Sequence, residues 1–436
     1  MSSNQNLTDI ARVIKELIVK NKNNTKELSK IIDKYLIPDE TEKKSNAEVS
    51  TPFKLRQEML DKIPVEFWTI VKKVFEPCAG KGGFIVDIID RFMIGLEKTI
   101  PDEKERYKTI VEECLYFSDI NPTNIFICKL LIDPYNEYKL NYNEGNTLEL
   151  DIKEKWGIDG FDAVIGNPPY NNNGGIKKGG KNLYTPFTMY AINNTKKNGY
   201  VLHIVPTGIL KTTIYNKKTE LFNEITKHTI RSLNINECAS YFNVSSTFTY
   251  LLIHKDYNMS NIVYDIVCEV KNKKYKIDEI DISSINFIPI IATNESISIL
   301  NKCKKENLNM KRVDKTSDIE KIVSDKFLYI KRLDHINYKN PYLKVYIGDK
   351  TLKIKGPILY TKYSKNLEIL LKSKIMAFFN IITRFDGVIY HNFINMFGVN
   401  DDIIIESEND LYNMFNLTKE EIKLIESIIS IQSNSE

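Results

Sequence analysis

Hydrophobic and polar positions divide the chain into three regions. Residues 1–45 carry apolar residues at helical spacing in "LTDIARVIKELIVK" and in "NTKELSKIIDKYLIP", which begins on a capping residue and ends at Pro38. Residues 46–255 alternate short apolar, β-branched runs with helical stretches, whereas this alternation fades after residue 256. We therefore predict an N-terminal helical extension, an α/β domain over 46–255 and a C-terminal α+β domain over 256–436.

The middle region has the pattern of a parallel sheet covered on both faces. Its apolar runs are "KKVFEPC", "CLYFSDI", "FDAVIGN", "GYVLHIVP" and "TFTYLLIH". Strands separated by helices are typical of an open α/β sheet, in which ligands bind beyond the carboxyl ends of the strands. The residues at these strand ends are therefore the first candidates for chemistry. The stretch "GLEKTIPDEKERYKTIVEE" predicts an inserted, charged helix.

The C-terminal region predicts a mixture of strands and helices. The runs "NIVYDIVCEV", "KFLYIKRL" and "YLKVYIGDKTLKIKGPILYTKY" have the pattern of strands, and "NLEILLKSKIMAFFNII" and "TKEEIKLIESIIS" that of helices. The lysines and tyrosines of this region are compatible with contacts to a DNA backbone and major groove. A solvated β surface explains any single lysine equally well.

Composition and charge narrow the class of protein. A net charge of only +4 over 436 residues excludes a uniformly basic nucleic-acid coat, so any such surface must be a local patch. The six cysteines form no CxxC pair and lie near no histidine at metal-ligand spacing, so we predict reduced core residues and no metal site. No signal pattern and no apolar run approaching membrane length is present. We expect a cytoplasmic protein associated with the nucleoid, without membrane contact.

The first strand of the middle region ends in "FEPCAGKGGF". Glu76 comes at the tip of this strand, and Gly80, Gly82 and Gly83 form a turn before the next helix. Glycines allow a backbone to approach a ligand closely. The turn is neither a dinucleotide fingerprint nor a P-loop, and an ordinary tight turn explains it equally well.

Three further positions carry polar groups suited to one type of ligand. Asp119 in "YFSDINP" can accept from both hydroxyls of a ribose, and Asn146 in "GNTLEL" offers a donor and an acceptor to a base edge. Thr51 and Pro52 stand at a helix start, whose free amides and hydroxyl can hold a carboxylate. Each alone is explained by a cap or a turn. Together, in chain order, they fit an amino-acid nucleoside such as S-adenosylmethionine.

The fourth strand ends in "FDAVIGNPPY". An exocyclic amine on a nucleobase is a poor nucleophile, because its lone pair is delocalised into the ring. The side-chain oxygen of Asn167 and the carbonyl of Pro168 can accept its two N–H bonds and localise that pair. Pro169 stiffens the turn, and the ring of Tyr170 can stack on the base. No strong general base is required, since the amine can lose its proton after methyl transfer.

A base in a duplex must be turned out of the helix to reach such a turn. A second aromatic ring would hold its other face, and "ASYFNVSSTFTYLLIH" supplies Phe242, with Tyr241 and Phe248 as alternatives. Core packing is the simpler explanation for Phe248. The loop "NNNGGIKKGGKN" contains lysines that either contact phosphates or are merely solvated, namely Lys177, Lys178 and Lys181.

The order of these motifs resembles the gamma arrangement of the N6-adenine DNA methyltransferases of restriction–modification systems. The matching motifs are "VSTPFKLRQEML", "FEPCAGKGGF", "YFSDINP", "GNTLEL", "FDAVIGNPPY", "NLYTPFTMYAI", "GYVLHIVPTGIL" and "YFNVSSTFTYLLIH", within residues 46–255. The resemblance implies a Rossmann-like sheet, S-adenosylmethionine as cofactor and double-stranded DNA as substrate. It also implies that residues 256–436 form a target-recognition domain.

The resemblance assigns roles to individual residues. The implied cofactor-binding residues are Thr51, Glu76, Cys78, Gly80, Asp119, Ile120 and Asn146. The implied catalytic residues are Asn167, Pro168, Pro169 and Tyr170, with Phe242 stacking on the flipped adenine. Three features depart from the family pattern: Asn146 replaces the usual Asp, Ala79 stands where Cys is frequent, and an insertion precedes Asp119.

Other functions fit parts of the same pattern. A protein-glutamine or RNA-amine methyltransferase can use the same Asn-Pro-Pro-Tyr turn, although such enzymes usually lack a large C-terminal domain. A non-catalytic DNA-binding relative and a bifunctional restriction–methylation enzyme are further alternatives. The N-terminal segment is short for a nuclease domain, so we expect activity to survive metal chelators. We expect a monomer, and a cognate restriction endonuclease remains open as a partner.

Overall fold

A computed structural model of the chain describes most of the residues on which these predictions depend. The described residues are 16–21, 24–35, 49–171, 182–211, 219–242, 247–256, 261–270, 273–305, 310–315, 325–331, 341–383, 385, 394–399 and 402–430. They divide into two units. The first unit takes the described residues within Met1–Pro206, Glu224–Asn234 and Cys238–Tyr264, and the second takes those within Thr207–Asn223, Ile235–Glu237 and Asp265–Glu436.

A central sheet organises the first unit. Its strands are β1 (Val74–Glu76), β2 (Leu115–Asp119), β3 (Asn141–Glu144), β4 (Phe161–Gly166), β5 (Thr195–Pro206), β6 (Thr229–Ile235) and β7 (Phe248–His254). In this unit their order is β3-β2-β1-β4-β5-β7-β6. The pairs β1–β2, β1–β4, β2–β3 and β4–β5 are parallel, as predicted. The predicted α/β class is confirmed.

One strand of the sheet runs against the predicted direction. The pair β5–β7 is antiparallel, with Leu202 opposite Leu252, so the expectation of a wholly parallel sheet was wrong. The run "TFTYLLIH" is buried along almost its whole length. A fully buried strand is apolar in either orientation, so its pattern does not encode its direction.

Helices precede and connect these strands. Those of the first unit are α1 (Thr25–Tyr35), α2 (Phe53–Leu60), α3 (Gly83–Gly95), α4 (Glu103–Thr109), α5 (Pro122–Ile132), α6 (Ile152–Trp156) and α7 (Tyr184–Asn194). The helix α1 begins as predicted, because Oδ1 of Asn24 accepts from the amide of Glu27 at 3.2 Å. The predicted inserted helix is α4, capped by Asp102. Of the first predicted N-terminal helix, residues 16–20 are described and helical.

The second unit is a mixed α and β structure, as predicted. Strand β8 (Ile262–Val270) begins in the first unit and continues into the second. The further strands are β9 (Lys273–Asp281), β10 (Lys311–Val313), β11 (Lys326–Lys331), β12 (Tyr346–Asp349) and β13 (Ile358–Lys362). A sheet of order β10-β13-β11-β12 has antiparallel pairs throughout.

The helices of the C-terminal region differ from prediction at one point. After α8 (Glu220–Ile225), which spans both units, they are α9 (Asn294–Cys303), α10 (Lys365–Lys372), α11 (Lys374–Ile382), α12 (Glu408–Met414) and α13 (Lys419–Ser430). The run "NLEILLKSKIMAFFNII" forms two helices, because the hydroxyl of Ser373 caps α11 by accepting from the amide of Met376. Strand β9 and helices α9 and α12 were not predicted, although Thr293 caps α9 and Ser407 and Asp410 form a capping box at α12.

All six cysteines are described, and none is paired in a disulfide. Five of them are buried, and Cys78 is half-buried. Within the described part of the chain, no helix has the length and apolar character that crossing a lipid bilayer requires.

Candidate active site

A cavity of about 350 Å³ lies at the carboxyl ends of β1, β2 and β4 in the first unit. Because these strands are parallel neighbours, their last residues meet at one edge of the sheet. The residues named from the sequence that line the cavity are Thr51, Glu76, Cys78, Gly80, Asp119, Ile120, Asn146, Asn167, Pro168, Pro169 and Tyr170. Phe242 is not among the described residues that line it.

The glycine-rich turn after β1 brings backbone groups close to buried side chains. Gly82 precedes α3 with a φ of 83°, a left-handed conformation that favours glycine. At Gly83 an added Cβ would lie 2.8 Å from Nη1 of Arg56. The amide of Gly80 donates to Oδ2 of Asp119 at 2.8 Å. The turn therefore connects the ends of β1 and β2 and leaves room for the guanidinium of Arg56.

Glu76 is a buried carboxylate at the cavity wall. Its side chain is 2% exposed, and no described residue provides a hydrogen-bond partner for Oε2. Burial raises the pKa of Glu76 well above its ordinary value, Arg56 opposes that rise, and Asp119 and Asp87 add to it. A buried acceptor without a donor is costly, so this position is suited to a cationic N–H group of a ligand.

Arg56 lines the cavity and was not predicted from the sequence. It is 1% exposed; its Nε donates to Oδ2 of Asp87 at 2.5 Å, and its Nη1 donates to the carbonyl of Thr51. The guanidinium thus fixes the segment before α2 and supplies positive charge near Glu76. The available signal was Asp87, a charged residue in the apolar run "FIVDIID", because a buried charge requires a partner.

Asp119 is held in one orientation at the end of β2. Its two oxygens accept from the amides of Gly80 and Asn121, each at 2.8 Å. Burial raises the pKa of Asp119, while these hydrogen bonds and the nearby ammonium of Lys81 act in the opposite direction. The following side chain, Ile120, is 66% exposed and lines the cavity. A polar acceptor therefore lies beside an apolar surface.

Asn146 caps the turn that follows β3. Its Oδ1 accepts from the amide of Leu148 at 3.1 Å, and its Nδ2 donates to Oε1 of Glu149 at 2.7 Å. The neighbouring Thr147, another residue that sequence reasoning missed, donates to the carbonyl of Pro77 at 2.7 Å. A carbonyl oxygen has two lone pairs, so the oxygen of Asn146 retains one for a ligand.

Asn167 links the Asn-Pro-Pro-Tyr turn to the segment before α2. Its Nδ2 donates to Oγ1 of Thr51 at 3.2 Å and to the carbonyl of Val49 at 3.3 Å. Its Oδ1 accepts from the hydroxyl of Tyr170 at 2.9 Å. These three contacts assign the orientation of the amide, with its oxygen on the side of Tyr170.

Three aromatic rings form a row that starts at the cavity. The ring centroid of Tyr170 lies 5.2 Å from that of Phe248, which in turn lies 5.2 Å from that of Phe242. Phe248 is 4% exposed, which agrees with core packing. Phe242 is half-buried and is separated from Tyr170 by Phe248. The loop residues Lys177, Lys178 and Lys181 lie outside the described residues.

The cavity can therefore hold a ligand with several polar groups. It presents a buried carboxylate at Glu76, an oriented carboxylate at Asp119, amide groups at Asn146 and Asn167, and the first turn of α2. Within the described residues, no cluster of three or more His, Cys, Asp or Glu side chains is arranged to hold a metal ion.

Comparisons with known proteins give a family match and a distant relative. The family model described as Eco57I restriction-modification methylase matches residues 113–242. A protein of Mycoplasma pneumoniae described as an uncharacterized adenine-specific methylase is 24% identical over 331 residues, covering 58% of this chain and 77% of that protein. The family match includes Asp119, Asn146, the Asn167–Tyr170 turn and Phe242, but not Thr51 or Glu76.

Solved structures of restriction–modification proteins are also similar to this chain, but their sequence identity is lower than that of the Mycoplasma pneumoniae relative. A protein described as the modification subunit of a type I restriction enzyme from Vibrio vulnificus is 15% identical, with a TM-score of 0.41 over 57% of this chain and 54% of that chain. A chain of a type I restriction–modification complex is 16% identical, with a TM-score of 0.45 over 64% of this chain and 56% of that chain. This chain thus spans about half the length of each. At such TM-scores the likeness carries no further argument.

Proposed function

We propose that this chain, an S-adenosylmethionine-dependent adenine methyltransferase of the restriction–modification type, transfers a methyl group to N6 of an adenine turned out of double-stranded DNA. The predicted resemblance to adenine methyltransferases of restriction–modification systems is confirmed by the family match and by the Mycoplasma pneumoniae relative. The observation that carries the proposed mechanism is that Asn167 and Pro168 line the same cavity as Glu76 and Asp119.

The residues of the cavity fit the cofactor at each of its polar groups. Glu76, whose Oε2 has no partner among the described residues, is suited to the ammonium group. The N-terminus of α2, next to Thr51, is suited to the carboxylate, because the N-terminal end of a helix attracts negative charge. Asp119 is suited to the ribose hydroxyls, and Ile120 and Asn146 are suited to the adenine ring and its edge. When bound, the cofactor supplies an electrophilic methyl group on a sulfonium.

Asn167 and Pro168 make the target amine nucleophilic in this proposal. The side-chain oxygen of Asn167 and the carbonyl of Pro168 accept the two N–H bonds of the adenine amine. Both acceptors belong to one rigid turn, so they are oriented before the base arrives, and this reduces the reorganisation that the reaction requires. The lone pair of the nitrogen is then localised toward the methyl group, and the proton leaves after transfer.

Tyr170 and Phe242 hold the extruded base. Turning a base out of a duplex costs a few kcal/mol, and stacking on an aromatic ring returns about 1–3 kcal/mol per base. Tyr170 lines the cavity, so its ring can stack on a base that enters there. Phe242 lies one ring away, beyond Phe248, so we propose that it contacts the base only after the segment around residue 242 adjusts.

We also propose a function for each of the two larger regions of the chain. We propose that residues 46–255 carry out methyl transfer and that residues 256–436 read the DNA sequence. The enzyme is proposed to act as a monomer beside the nucleoid, and a cognate restriction endonuclease is left open as a partner. The basic and aromatic side chains of β11–β13, which include Lys326, Lys331 and Tyr346, support a DNA contact in the second unit.

A comparison of methyl acceptors tests the proposed function. The protein and a cofactor with a tritiated methyl group are incubated in three parallel reactions. The acceptor is duplex DNA of mixed sequence in the first, RNA in the second and a peptide-release factor in the third. Label in DNA as N6-methyladenine supports the proposal, whereas label only in RNA or protein favours the alternative amine or amide methyltransferases. DNA binding without cofactor binding would indicate a non-catalytic relative. The same assay in EDTA tests the expectation that no metal is needed.

A further inference from the structure

The N-terminal helix α1 packs directly on helices of the methyl-transfer unit. It contributes to an apolar cluster together with residues of α3 and α5. The buried members of this cluster are Ile18, Leu28, Ile31, Ile32, Val86 and Leu131. No motif in the sequence connects the N-terminal segment with the cofactor site, but this packing brings the two together.

One residue of α1 reaches the cavity. Ile32 is 1% exposed and belongs to the lining of the cavity, along with Glu76 and Thr51. Its neighbour Ile31 is 7% exposed and belongs to the same apolar cluster. Ile31 is not among the described residues that line the cavity. The two side chains therefore share a packing environment and differ in their access to the ligand.

The position of α1 indicates which end of the ligand it faces. The helix contacts α2 and α3, and Val86 in the first turn of α3 is one of its partners. The first turns of α2 and α3 lie beside Thr51 and Glu76, the groups placed for the carboxylate and the ammonium. The residues placed for the ribose and the adenine ring, Asp119 and Asn146, follow β2 and β3 instead.

We propose that α1 forms a wall of the cofactor site and that Ile32 contacts the methionine end of bound S-adenosylmethionine. This inference rests on the proposed function. The side chain of Ile32 excludes water from the contact between Glu76 and the cofactor ammonium, and a drier contact is electrostatically stronger. The N-terminal helix is thereby a cofactor-binding element and not only an appendage for partner binding.

A pair of neighbouring variants tests this inference. Ile32→Ala and Ile31→Ala are compared with the wild-type protein by calorimetric titration with S-adenosylhomocysteine and S-adenosylmethionine. Each methylene withdrawn from a ligand contact weakens binding about fourfold. We expect Ile32→Ala, which withdraws three carbon atoms, to raise the Kd for both ligands by between about tenfold and about sixtyfold, and Ile31→Ala to change it by less than about twofold. Thermal unfolding without ligand should show a lowered Tm for both variants, since both lose buried apolar contacts.

The outcomes separate the inference from the proposed function. Equal Kd values for Ile32→Ala, Ile31→Ala and the wild type overturn the inference alone. A wild-type protein that binds neither ligand overturns the proposed function as well.

A second measurement does not depend on the folding of a variant. In the wild-type protein, S-adenosylhomocysteine should slow amide hydrogen exchange in α1 as well as in α2 and α3. Protection of α2 and α3 without any change in α1 contradicts the inference.

If Ile32→Ala fails to fold, Ile32→Val, which lacks one methylene, should still raise the Kd about fourfold. An unchanged Kd in a folded Ile32→Val protein contradicts the inference.

Discussion

The hydroxyl group of Tyr170 donates a hydrogen bond to Oδ1 of Asn167 at 2.9 Å. This is the oxygen that we propose as an acceptor for the adenine amine, so the free protein already uses one of its two lone pairs. Burial raises the pKa of Tyr170 well above its ordinary value, and the hydroxyl therefore remains a protonated donor across the neutral range. Tyr170 accordingly has two separable parts, a ring that we propose stacks on the base and a hydroxyl that holds Asn167.

Removing only the hydroxyl of Tyr170 should have a small effect. In Tyr170→Phe the ring remains and the amide of Asn167 is still held by Thr51 and Val49. One hydrogen bond contributes about 1 kcal/mol, so we expect the single-turnover methylation rate to change by less than about tenfold. Tyr170→Ala should lose base capture as well, seen as a loss of fluorescence from 2-aminopurine at the target position. Equal defects in the two variants would assign the main role to the hydroxyl.

Replacing Asn167 should separate cofactor binding from transfer. Asn167→Ala removes one of the two proposed acceptors and leaves the cofactor-binding groups in place. We expect a Kd for S-adenosylmethionine close to that of the wild type, and a single-turnover rate lower by at least about a hundredfold. Near-normal turnover would exclude Asn167 as the acceptor. Loss of cofactor binding would instead indicate that its contact with Thr51 holds the site together.

Replacing Glu76 by an isosteric neutral residue should weaken cofactor binding. In Glu76→Gln the proposed partner of the ammonium loses its charge, and truncating a buried charge pair costs about 2 kcal/mol or more. We expect the Kd for S-adenosylmethionine to rise at least about thirtyfold. An Asp90→Asn variant, on the same helix as Asp87 but outside the cavity lining, controls for a general change of charge.

The titration of Glu76 predicts a pH dependence of both binding and stability. Burial raises the pKa of Glu76 in the folded protein, so stability falls as pH rises from the unfolded pKa through the folded one. The cofactor ammonium favours the carboxylate, so binding should release a proton, and affinity should rise with pH until pH passes the pKa of Glu76 in the free folded protein. Calorimetry in buffers of different ionisation enthalpy measures this release, which Glu76→Gln should abolish. Persistence of the proton release in the variant would assign it to another group.

Much of the candidate site could be predicted, because its residues lie where an apolar strand pattern ends and a polar turn begins. Glu76, Asp119 and Asn167 each follow an apolar run, and parallel strands bring such positions together whatever the side chains between them. The roles that we propose for them follow from their chemical type. Most of the strands of the first unit could also be predicted, because each is a short apolar run between helical stretches, and this pattern is typical of buried strands.

The residues that could not be predicted from the sequence make contacts with residues that lie far from them along the chain. The pairing of Arg56 with Asp87 joins two helices, and neither residue alone specifies its partner. The direction of β7 is not encoded in a fully apolar strand. Ile32 is one apolar residue among several at helical spacing, and its access to the cavity depends on how α1 packs against α3. Helical periodicity assigns a face of α1 to the interior but not the object that this face meets.

The buried pair of Arg56 and Asp87 predicts a non-additive stability change. The side chains are 1% and 2% exposed, so removing one partner leaves an uncompensated buried charge. We expect Arg56→Met to reduce the free energy of unfolding by about 3–5 kcal/mol. The double variant Arg56→Met/Asp87→Leu should recover a large part of that loss. Denaturant unfolding of Arg56→Met, Asp87→Leu and the double variant measures the three losses, and a double-variant loss equal to the sum of the two single losses would show that the pair does not act as a unit.

Glu58 connects helix α2 with the segment that carries Phe242 through hydrogen bonds. Its Oε1 accepts from the hydroxyl of Tyr250 at 2.8 Å, and its Oε2 accepts from that of Tyr241 at 3.2 Å. Tyr241 directly precedes Phe242, so Glu58, which lies on α2, fixes the start of the proposed base-stacking segment. Glu58 is not among the described residues that line the cavity, which makes it a positioning residue.

Loss of these contacts should affect the DNA step and spare the cofactor step. Hydrogen bonds to a carboxylate contribute about 1.5–3 kcal/mol, so we expect Glu58→Ala to lower kcat/KM for DNA about tenfold to a hundredfold. The Kd for S-adenosylhomocysteine should stay within about threefold of the wild-type value, because none of the lost bonds reaches the cavity. Glu58→Gln, whose amide can still accept from Tyr250, should restore part of the activity. If Glu58→Ala instead weakened cofactor binding and DNA methylation equally, the residue would support the whole unit and not the Phe242 segment.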